Sequence, residues 1–377
     1  MSMKPLITAL LLGCSALTLL TAASAASTTH SAPGHHKTAK ASPQKKKPAK
    51  KKAPAVDYEG EFVNFGDWKE VSSFLDDVAN RNHWDRAELA ALMAQVRFVD
   101  SAVQLIKPAP PGKPKNWQAY RQLFVEPVRI NAGLKFWAEH RATLERAETL
   151  YGVPAEVIVG ILGVETVYGR NTGRFRVLDA LTTLAFAYPE APARADRMAF
   201  FRRELEAALQ FARKNNVDPL TLRGSFAGAI GLPQFMPNSV MKFAVDFDAD
   251  GQIDLLNSPT DAIGSVAAFL VAHGWQRELN GAMVYPASVS PSMAWEPMLN
   301  QGLVASYLSP ALQAAGVSTD YPLPETMKFG LVDLQNGAEP TEYWLANGNF
   351  FAITQYNRSY FYAMSVLELG RAIKQLR

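Results

Sequence analysis

Between Val157 and Glu165 the sequence reads Val-Ile-Val-Gly-Ile-Leu-Gly-Val-Glu, eight residues without a polar side chain followed by a glutamate. The run covers about two helical turns and is apolar on every side, which predicts a buried helix. Burial at the end of such a helix favours the neutral carboxyl and raises its pKa, as a general acid requires. The competing interpretation is a structural ion pair with Arg170 or Arg174. The local sequence leaves both interpretations open.

The residues around this run predict how the helix begins, ends and packs. Pro154 suits the first turn of a helix, and Gly169 is a position at which the helix can end. Gly160 and Gly163 have no Cβ atom, so we expect another segment of the chain to approach the helix closely at these two positions.

Most of the chain from residue 57 onward has the apolar periodicity of α-helices. Asp67 and Glu70 stand at capping-box spacing before an apolar run, and so do Asp85 and Glu88, which predicts two helix starts. Three further helices are predicted over residues 200–214, 261–273 and 359–376.

Residues 278–345 differ from the rest in their scattered proline and glycine and their short apolar runs. This composition indicates strands and turns with some helix, a small β-containing subdomain. The predicted fold class is therefore mainly α (α+β), a helical core with a small β-containing insertion.

The N-terminal segment is predicted to direct export. Residues 1–25 combine Lys4, an apolar run and the small residues Ala23-Ser24-Ala25, as in a cleavable signal peptide. This predicts a periplasmic protein, either soluble or an outer-membrane lipoprotein attached through Cys14, whose context resembles a lipidation motif. Residues 26–56 are rich in lysine and proline and predict an extended disordered linker, either an inert spacer or a cationic tether to the envelope or membrane.

The charge of the chain is unevenly distributed. Nine of the 38 lysine and arginine residues precede residue 57 and none of the 35 acids does, which leaves residues 57–377 with a net charge of −6. A mildly acidic folded region argues against nucleic acid as a partner, since nucleic-acid-binding domains carry basic surfaces.

Two further segments have an unusual composition. Residues 224–237 read Gly-Ser-Phe-Ala-Gly-Ala-Ile-Gly-Leu-Pro-Gln-Phe-Met-Pro, whose small residues allow tight turns and close approach to a ligand. Tyr356-Asn357-Arg358 is a polar trio after a short apolar run. Each segment has a purely structural alternative, a tightly packed loop in the first case and an ordinary turn in the second.

Taken together, these segments carry a specific resemblance. Residues 163–169, 224–237 and 353–359 occur in the order seen in the family of membrane-bound lytic murein transglycosylase B, and the similarity extends over most of residues 60–377. The resemblance implies a lysozyme-like helical fold. It also implies cleavage of the β-1,4 bond between N-acetylmuramic acid and N-acetylglucosamine in peptidoglycan, with a 1,6-anhydromuramic product.

The resemblance also implies roles for individual residues. Glu165 matches the family's single catalytic acid, which then acts as the base. Tyr120 and Arg197 are looser matches. Before Arg197, residues 190–196 carry an insertion relative to the family, and Asp196 stands where an arginine is expected. Phe269 stands where the family has a cleft tyrosine, so a hydroxyl contact is expected to be missing. The residues matched to the substrate cleft are Tyr120, Arg197, Ser225, Gln234, Tyr356, Asn357 and Tyr362.

One carboxyl in the matched motifs predicts an unusual mechanism. Ordinary glycosidases place two carboxylates beside the scissile bond. With one, Glu165 would protonate the glycosidic oxygen and then accept the proton of the muramic C6 hydroxyl, which closes onto C1 of the same sugar. Two other functions stay open at this point: a non-catalytic peptidoglycan-binding scaffold and a hydrolytic muramidase.

Residues 246–254 resemble the start of a calcium loop, with oxygen ligands at positions 1, 3 and 5 and a glycine at position 6. The usual glutamate at position 12 is replaced by Asn257, and the resemblance implies that a later acid, Asp261, closes the site. One structural Ca2+ and no organic cofactor are expected. The alternative is a solvated acidic turn. The predicted ligands are Asp246, Asp248, Asp250, Gln252 and Asp261.

Overall fold

A computed structural model of the chain describes residues 56–108, 114–279 and 281–377. The described residues form a mainly helical structure, and the helices are named in chain order. They are α1 (Lys69–Asn82), α2 (Arg86–Met93), α3 (Asp100–Leu105), α4 (Trp117–Arg121), α5 (Pro127–Glu139), α6 (Arg141–Tyr151), α7 (Ala155–Thr166), α8 (Val177–Phe186), α9 (Arg194–Lys214), α10 (Pro237–Phe243), α11 (Pro259–Ala272), α12 (Ser309–Ala314), α13 (Gly348–Thr354) and α14 (Tyr360–Gln375).

The strands are short and every pairing is antiparallel. Two two-stranded ribbons pair β1 with β2 and β3 with β4, and a four-stranded sheet has the order β6-β5-β8-β7. The strands are β1 (Glu61–Phe62), β2 (Arg97–Phe98), β3 (Phe175–Arg176), β4 (Arg223–Gly224), β5 (Val284–Val289), β6 (Val317–Ser318), β7 (Gly330–Asn336) and β8 (Glu339–Ala346).

Helix α7 lies in the centre of the helical core. Every residue of α7 from Val157 to Val164 is buried, as the all-round apolar sequence predicts. Each valine, leucine or isoleucine buried here contributes roughly 1.5–3 kcal/mol relative to an exposed one. Packing in the core therefore holds α7 in one position, and this defines where a side chain at the end of α7 lies.

Helix α14 packs directly along α7 because glycines allow the two backbones to approach. A Cβ atom added to Gly160 would lie 2.3 Å from the Val366 carbonyl oxygen, and one added to Gly370 would lie 2.2 Å from the Glu156 carbonyl oxygen. At Gly163 an added Cβ would lie 2.8 Å from Leu369 Cδ2. The predicted close approach at Gly160 and Gly163 is confirmed, and the approaching segment is α14.

The four-stranded sheet has a small apolar core of its own. Its buried side chains form a cluster separate from that of the main helical core, and one of them comes from α12. They are Trp295, Leu312, Val317, Phe329, Leu331 and Leu345. This sheet accounts for the change in composition after residue 278. The boundaries of the subdomain proposed at residues 278–345 stay a prediction.

The predicted helix ends were correct in part. The Asp85 carboxylate accepts hydrogen bonds from the first turn of α2, so this cap is confirmed. The cap at Asp67 is wrong, because α1 starts after Trp68 without a side-chain cap. Gly169 is also wrong as the end of α7: the helix ends three residues earlier, at Thr166, because Val167 already has left-handed backbone geometry.

The predicted signal peptide at residues 1–25 and nearly all of the linker at residues 26–56, including Cys14, lie outside the described residues. Among the helices that the structure describes, none is on its own long and apolar enough to cross a membrane. By length and composition, α6 and α7 would meet that test only together, and they meet at an angle of 116°.

Candidate active site

The structure places Glu165 in the last turn of α7, at the point where the helix leaves the core. Val167 and Tyr168 follow with φ angles of 51° and 58°, a left-handed geometry that is strained for a β-branched residue such as valine. Thr166 secures this turn, since its Oγ1 donates to the Leu232 carbonyl oxygen at 2.9 Å. The end of α7 is thereby attached to the segment at residues 224–237.

The carboxyl of Glu165 has a tyrosine as its hydrogen-bond partner. The Tyr362 hydroxyl donates to Glu165 Oε1 at 2.6 Å. Burial raises the pKa of Glu165 from its ordinary value of 4.5 to about 7, against the opposing effect of the Tyr362 hydrogen bond. Among the described residues no arginine or lysine forms an ion pair with this carboxyl. The alternative of an ion pair with Arg170 or Arg174 is therefore wrong.

The charge of Glu165 also affects the pKa of two further tyrosines. Burial, together with the smaller effect of the Glu165 charge, raises the pKa of Tyr120 to about 12. Burial and then Glu165 also raise the pKa of Tyr356 well above its ordinary value. The rings of Tyr356 and Tyr362 are nearly parallel, with centroids 6.1 Å apart. All three hydroxyls stay protonated near neutral pH. The hydrogens of Tyr362 and Tyr356 are donated to Glu165 and Pro233, so these two hydroxyls can accept hydrogen bonds from a sugar, whereas that of Tyr120 can also donate one.

Ser225 and Gln234 lie in a tightly constrained loop. Ser225 Oγ accepts hydrogen bonds from the backbone N–H of Ala227 and Ala229, at 3.3 and 3.0 Å. Gln234 has a φ of 52°, and its Nε2 donates to the carbonyl oxygens of Thr172 and Gly231. Their side chains thus hold the loop together, as the structural alternative predicted. The hydroxyl hydrogen of Ser225 and Oε1 of Gln234 have no partner among the hydrogen bonds of the described residues, so the substrate role stays open.

Two other residues were predicted to line the cleft, Asn357 and Arg197. Asn357 lies between α13 and α14, next to Tyr356, and its carbonyl oxygen accepts a hydrogen bond from the Ser359 N–H. Arg197 lies on α9, where its charge lowers the pKa of Tyr188 against the larger effect of burial. Their substrate contacts stay predictions.

Phe269 lies directly behind the site. Its ring centroid is 4.8 Å from that of Tyr356 and 5.3 Å from that of Phe235. The phenyl group therefore supports the Tyr356 ring through apolar contact. The Tyr356 hydroxyl itself donates to the Pro233 carbonyl oxygen, which joins the second and third motifs.

Arg129 on α5 also contributes to the site and was not predicted from the sequence. This arginine is buried, and its Nε donates to the Gly163 carbonyl oxygen at 3.1 Å while Nη1 donates to the Leu123 carbonyl oxygen at 2.6 Å. It thereby gives the Gly163 carbonyl oxygen a second hydrogen bond, beside the one at 3.2 Å from the Val167 N–H. An arginine within the otherwise apolar face of α5 was the only available signal.

The predicted metal ligands are brought together in part. Carboxylate oxygens of Asp246, Asp248 and Asp261 all lie within 4.8 Å of one another. The Asp250 carboxylate is outside this group and accepts a hydrogen bond from the Gln252 N–H at 2.8 Å. Gln252 is exposed, and its place among the ligands stays a prediction. Three clustered carboxylates form an oxygen donor set that suits a hard cation such as Ca2+.

Comparison with known proteins gives consistent matches over the described region. The family model for the Transglycosylase SLT domain matches residues 66–371. The membrane-bound lytic murein transglycosylase B of Escherichia coli (strain K12) is 40% identical over 327 residues, which cover 84% of this chain and 85% of that protein.

Solved structures resemble the chain to a similar extent. The soluble lytic transglycosylase SltB1 from Pseudomonas aeruginosa is 42% identical with a TM-score of 0.74, covering 82% of this chain and 99% of that one. The Escherichia coli lytic transglycosylase Slt35 in complex with calcium is 38% identical with a TM-score of 0.73, covering 86% and 99%. SltB3 from Pseudomonas aeruginosa in complex with NAG-NAM-pentapeptide is 26% identical with a TM-score of 0.68, covering 81% and 79%.

Proposed function

Because the chain belongs to the membrane-bound lytic murein transglycosylase B family and is a lytic transglycosylase of murein, we propose that Glu165 is its catalytic acid and then its base. The observation that carries this proposal is a carboxyl with a pKa of about 7 whose hydrogen-bond partner is the neutral hydroxyl of Tyr362. Such a group is about half protonated at neutral pH, so it can donate a proton in one step and accept one in the next.

The proposed reaction uses one carboxyl. Protonated Glu165 gives its proton to the glycosidic oxygen as the bond to C1 of N-acetylmuramic acid breaks. The resulting carboxylate accepts the proton of the C6 hydroxyl, whose oxygen bonds to C1 and forms the 1,6-anhydro ring. No other carboxylate among the described residues shifts the pKa of Glu165. This supports a single-acid mechanism, in contrast to ordinary glycosidases, which use two carboxylates.

The glycan is proposed to lie along the hydroxyls and amides around Glu165. Tyr362, Tyr356 and Tyr120 supply hydroxyls that stay neutral, which suits sugar oxygens better than charged groups do. The other proposed contacts are Ser225, Gln234, Asn357 and Arg197. SltB3 was solved with NAG-NAM-pentapeptide, which supports peptidoglycan strands as the substrate of this chain.

Analysis of the products of Glu165→Gln by mass spectrometry tests this proposal. On purified sacculi, the native protein should release fragments with anhydro ends, and the variant should release none while still binding the glycan. Glu156→Gln is the matched control, since Glu156 lies on the same helix and pairs with Lys374 at 2.8 Å. Products with reducing ends would identify the native protein as a muramidase. If the native protein does not cleave the glycan, it is a peptidoglycan-binding scaffold. Anhydro products from Glu165→Gln would refute the role of Glu165.

We further propose that Asp246, Asp248 and Asp261 hold one structural Ca2+, with Asp250 and Gln252 completing the site. Calcium bound there would neutralise the three carboxylates and join the loop at residues 246–254 to α11. None of the three carboxylates forms an ion pair with a lysine or arginine of the described residues. The Slt35 structure with calcium supports the choice of ion.

Calcium removal tests the metal proposal. At calcium concentrations a hundred times above Kd, bound ion stabilises the fold by about 2.7 kcal/mol. Chelation should therefore lower the thermal midpoint of the native protein, and added calcium should restore it. Asp248→Asn should show a much smaller response. A midpoint that chelation leaves unchanged would contradict the metal site.

We propose that the protein acts in the periplasm, where its substrate lies. The signal-like residues 1–25 support export, and the Escherichia coli relative is named membrane-bound. Whether the mature chain is soluble or anchored through Cys14 is decided by labelling with a radioactive fatty acid. Label on the native protein but not on Cys14→Ser would establish the lipoprotein form.

A further inference from the structure

Arg129 is a buried cation to which the proposed reaction gives no role. The Glu126 carboxylate lies 3.7 Å from its Nη1, but this carboxylate also accepts hydrogen bonds from the backbone N–H groups of Val128 and Arg129 at the start of α5. A buried charge is costly unless hydrogen bonds and opposite charges offset the cost. The remaining contacts of the guanidinium therefore show what Arg129 does.

The guanidinium joins two segments of the proposed active site. Its Nε donates to the Gly163 carbonyl oxygen at 3.1 Å, two residues before Glu165, and its Nη1 donates to the Leu123 carbonyl oxygen at 2.6 Å. Leu123 belongs to the turn after α4, where its N–H donates to the Tyr120 carbonyl oxygen at 3.1 Å. Arg129 thus connects the turn that carries Glu165 with the turn that follows Tyr120.

A second connection between Arg129 and Tyr120 runs through an aromatic ring. The guanidinium carbon of Arg129 lies 5.1 Å from the centroid of the Phe124 ring, a distance at which the cation attracts the ring face. The rings of Phe124 and Tyr120 have centroids 5.0 Å apart. Arg129 therefore holds the Tyr120 segment both at its backbone and at its ring.

The two segments that Arg129 joins carry groups that lie close together in the site. The charge of Glu165 contributes to the raised pKa of Tyr120, as charges do only over short distances. An arginine suits the joining role because its planar fork offers N–H donors in fixed directions, whereas lysine has a single nitrogen on a flexible chain.

We infer that Arg129 is a positioning residue that fixes the distance between the Tyr120 hydroxyl and the Glu165 carboxyl. It acts through the backbone carbonyl oxygens of Gly163 and Leu123. The inference rests on the proposed function, because this distance matters only if Glu165 is the acid and the Tyr120 hydroxyl binds the glycan beside it.

A double-mutant cycle with Arg129→Gln and Tyr120→Phe tests the inference. The kcat/KM for formation of anhydro ends is measured for the native protein, both single variants and the double variant. Loss of one hydrogen bond to the substrate corresponds to a fall of about 2- to 12-fold, which is expected for Tyr120→Phe. Arg129→Gln should fall by as much or less, and the double variant should equal Tyr120→Phe, because position is irrelevant once the hydroxyl is absent.

Arg129→Lys separates the position of the side chain from its charge. Lysine keeps the positive charge but cannot reach both carbonyl oxygens with a fork of two nitrogens. Its kcat/KM should therefore fall as far as that of Arg129→Gln. Recovery of the native kcat/KM in Arg129→Lys would show that the charge alone is sufficient and would overturn the inference.

The pH dependence of kcat/KM gives a second measure of any electrostatic role. Burial and the Tyr362 hydrogen bond are the effects that shift the pKa of Glu165. Arg129→Gln should therefore leave the alkaline limb in place. A limb that moved to higher pH would show that the positive charge of Arg129 acts on Glu165 directly, which also overturns the inference.

Arg277→Gln is the matched control. Nη2 of Arg277 donates to the carbonyl oxygens of Thr149 and Leu150 at 2.8 and 2.7 Å, at the end of α6. This contact is of the same kind but lies near the start of α7, whereas Glu165 lies near its end. Arg277→Gln should therefore leave kcat/KM unchanged.

A second variant keeps the inference testable if Arg129→Gln does not fold. Phe124→Leu removes the ring between Arg129 and Tyr120 but keeps an apolar side chain of similar size in the core. Its fall in kcat/KM should also disappear in the Tyr120→Phe background. All rates are measured well below the thermal midpoint of each variant.

The outcomes separate this inference from the function on which it rests. Three results overturn the inference while the native protein still forms anhydro ends. They are falls that multiply in the double variant, a lower thermal midpoint of Arg129→Gln with unchanged kcat/KM, and native kcat/KM in Tyr120→Phe. Absence of anhydro ends from the native protein would instead refute the proposed function.

Discussion

Removing the Tyr362 hydroxyl tests the electrostatic basis of the site. The hydroxyl donates to Glu165 Oε1 at 2.6 Å, and this hydrogen bond favours the charged carboxylate. A hydrogen bond to a charged group contributes about 1.5–3 kcal/mol, and one pKa unit corresponds to about 1.4 kcal/mol. Tyr362→Phe should therefore raise the pKa of Glu165 by about one unit or more.

The assay is the pH dependence of kcat/KM, which reports the free enzyme. A general acid must be protonated, so activity falls as pH rises through its pKa. In the native protein the alkaline limb is expected near the pKa of about 7 of Glu165. In Tyr362→Phe this limb should move to higher pH by about one unit. The maximum rate should also fall, because the carboxyl loses its orienting partner.

Tyr356→Phe is the matched control for this experiment. Its hydroxyl donates to the Pro233 carbonyl oxygen and not to Glu165, so its removal should leave the alkaline limb in place. Three results would refute the reasoning: a limb that does not move in Tyr362→Phe, one that moves to lower pH, or equal movement in both variants.

Two further predictions concern stability. Folding raises the pKa of Glu165 from 4.5 to about 7, so the protonated carboxyl is favoured in the folded state, and this contribution is present below pH 4.5 and lost as pH rises to about 7. Relative to Glu165→Gln, the native protein should therefore lose up to about 3 kcal/mol between these pH values in urea unfolding, and a pH-independent difference would contradict the buried carboxyl. Gly160→Ala would place a Cβ atom 2.3 Å from the Val366 carbonyl oxygen. This overpacking should lower the free energy of unfolding by about 1–3 kcal/mol or more. It should also lower activity, because it displaces α14 and with it Tyr362. Gly348→Ala, whose added Cβ lies no closer than 3.4 Å to a neighbour, is the control and should change stability by less than about 0.5 kcal/mol.

The sequence was informative about segments whose structure depends on local pattern. The all-round apolar run before Glu165 predicted a buried helix because only a core position removes every face of a helix from water. The cap at Asp85 followed from a spacing that fits a single turn. The same spacing failed at Asp67, because Asp67 is the last residue of a short 3-10 turn capped by Asn64, and α1 begins only after Trp68.

The sequence did not predict the hydrogen-bond partners of the site residues. Glu165 and Tyr362 are 197 positions apart, and an arginine was as plausible a neighbour as a tyrosine until α14 was seen against α7. The contribution of Arg129 was likewise hidden, because its place on an apolar helix face does not reveal which carbonyl oxygens it meets.

Composition and pattern alone predict that a carboxyl lies at the end of a fully buried helix and that acidic oxygen atoms lie close together in a short loop. Packing then settled the chemistry: glycines on α7 and α14 let the two helices approach until a neutral phenol, and not a guanidinium, met Glu165. The reason is physical. Burial depends on the side chain and its own helix, whereas the identity of a long-range partner depends on how all the helices fit together.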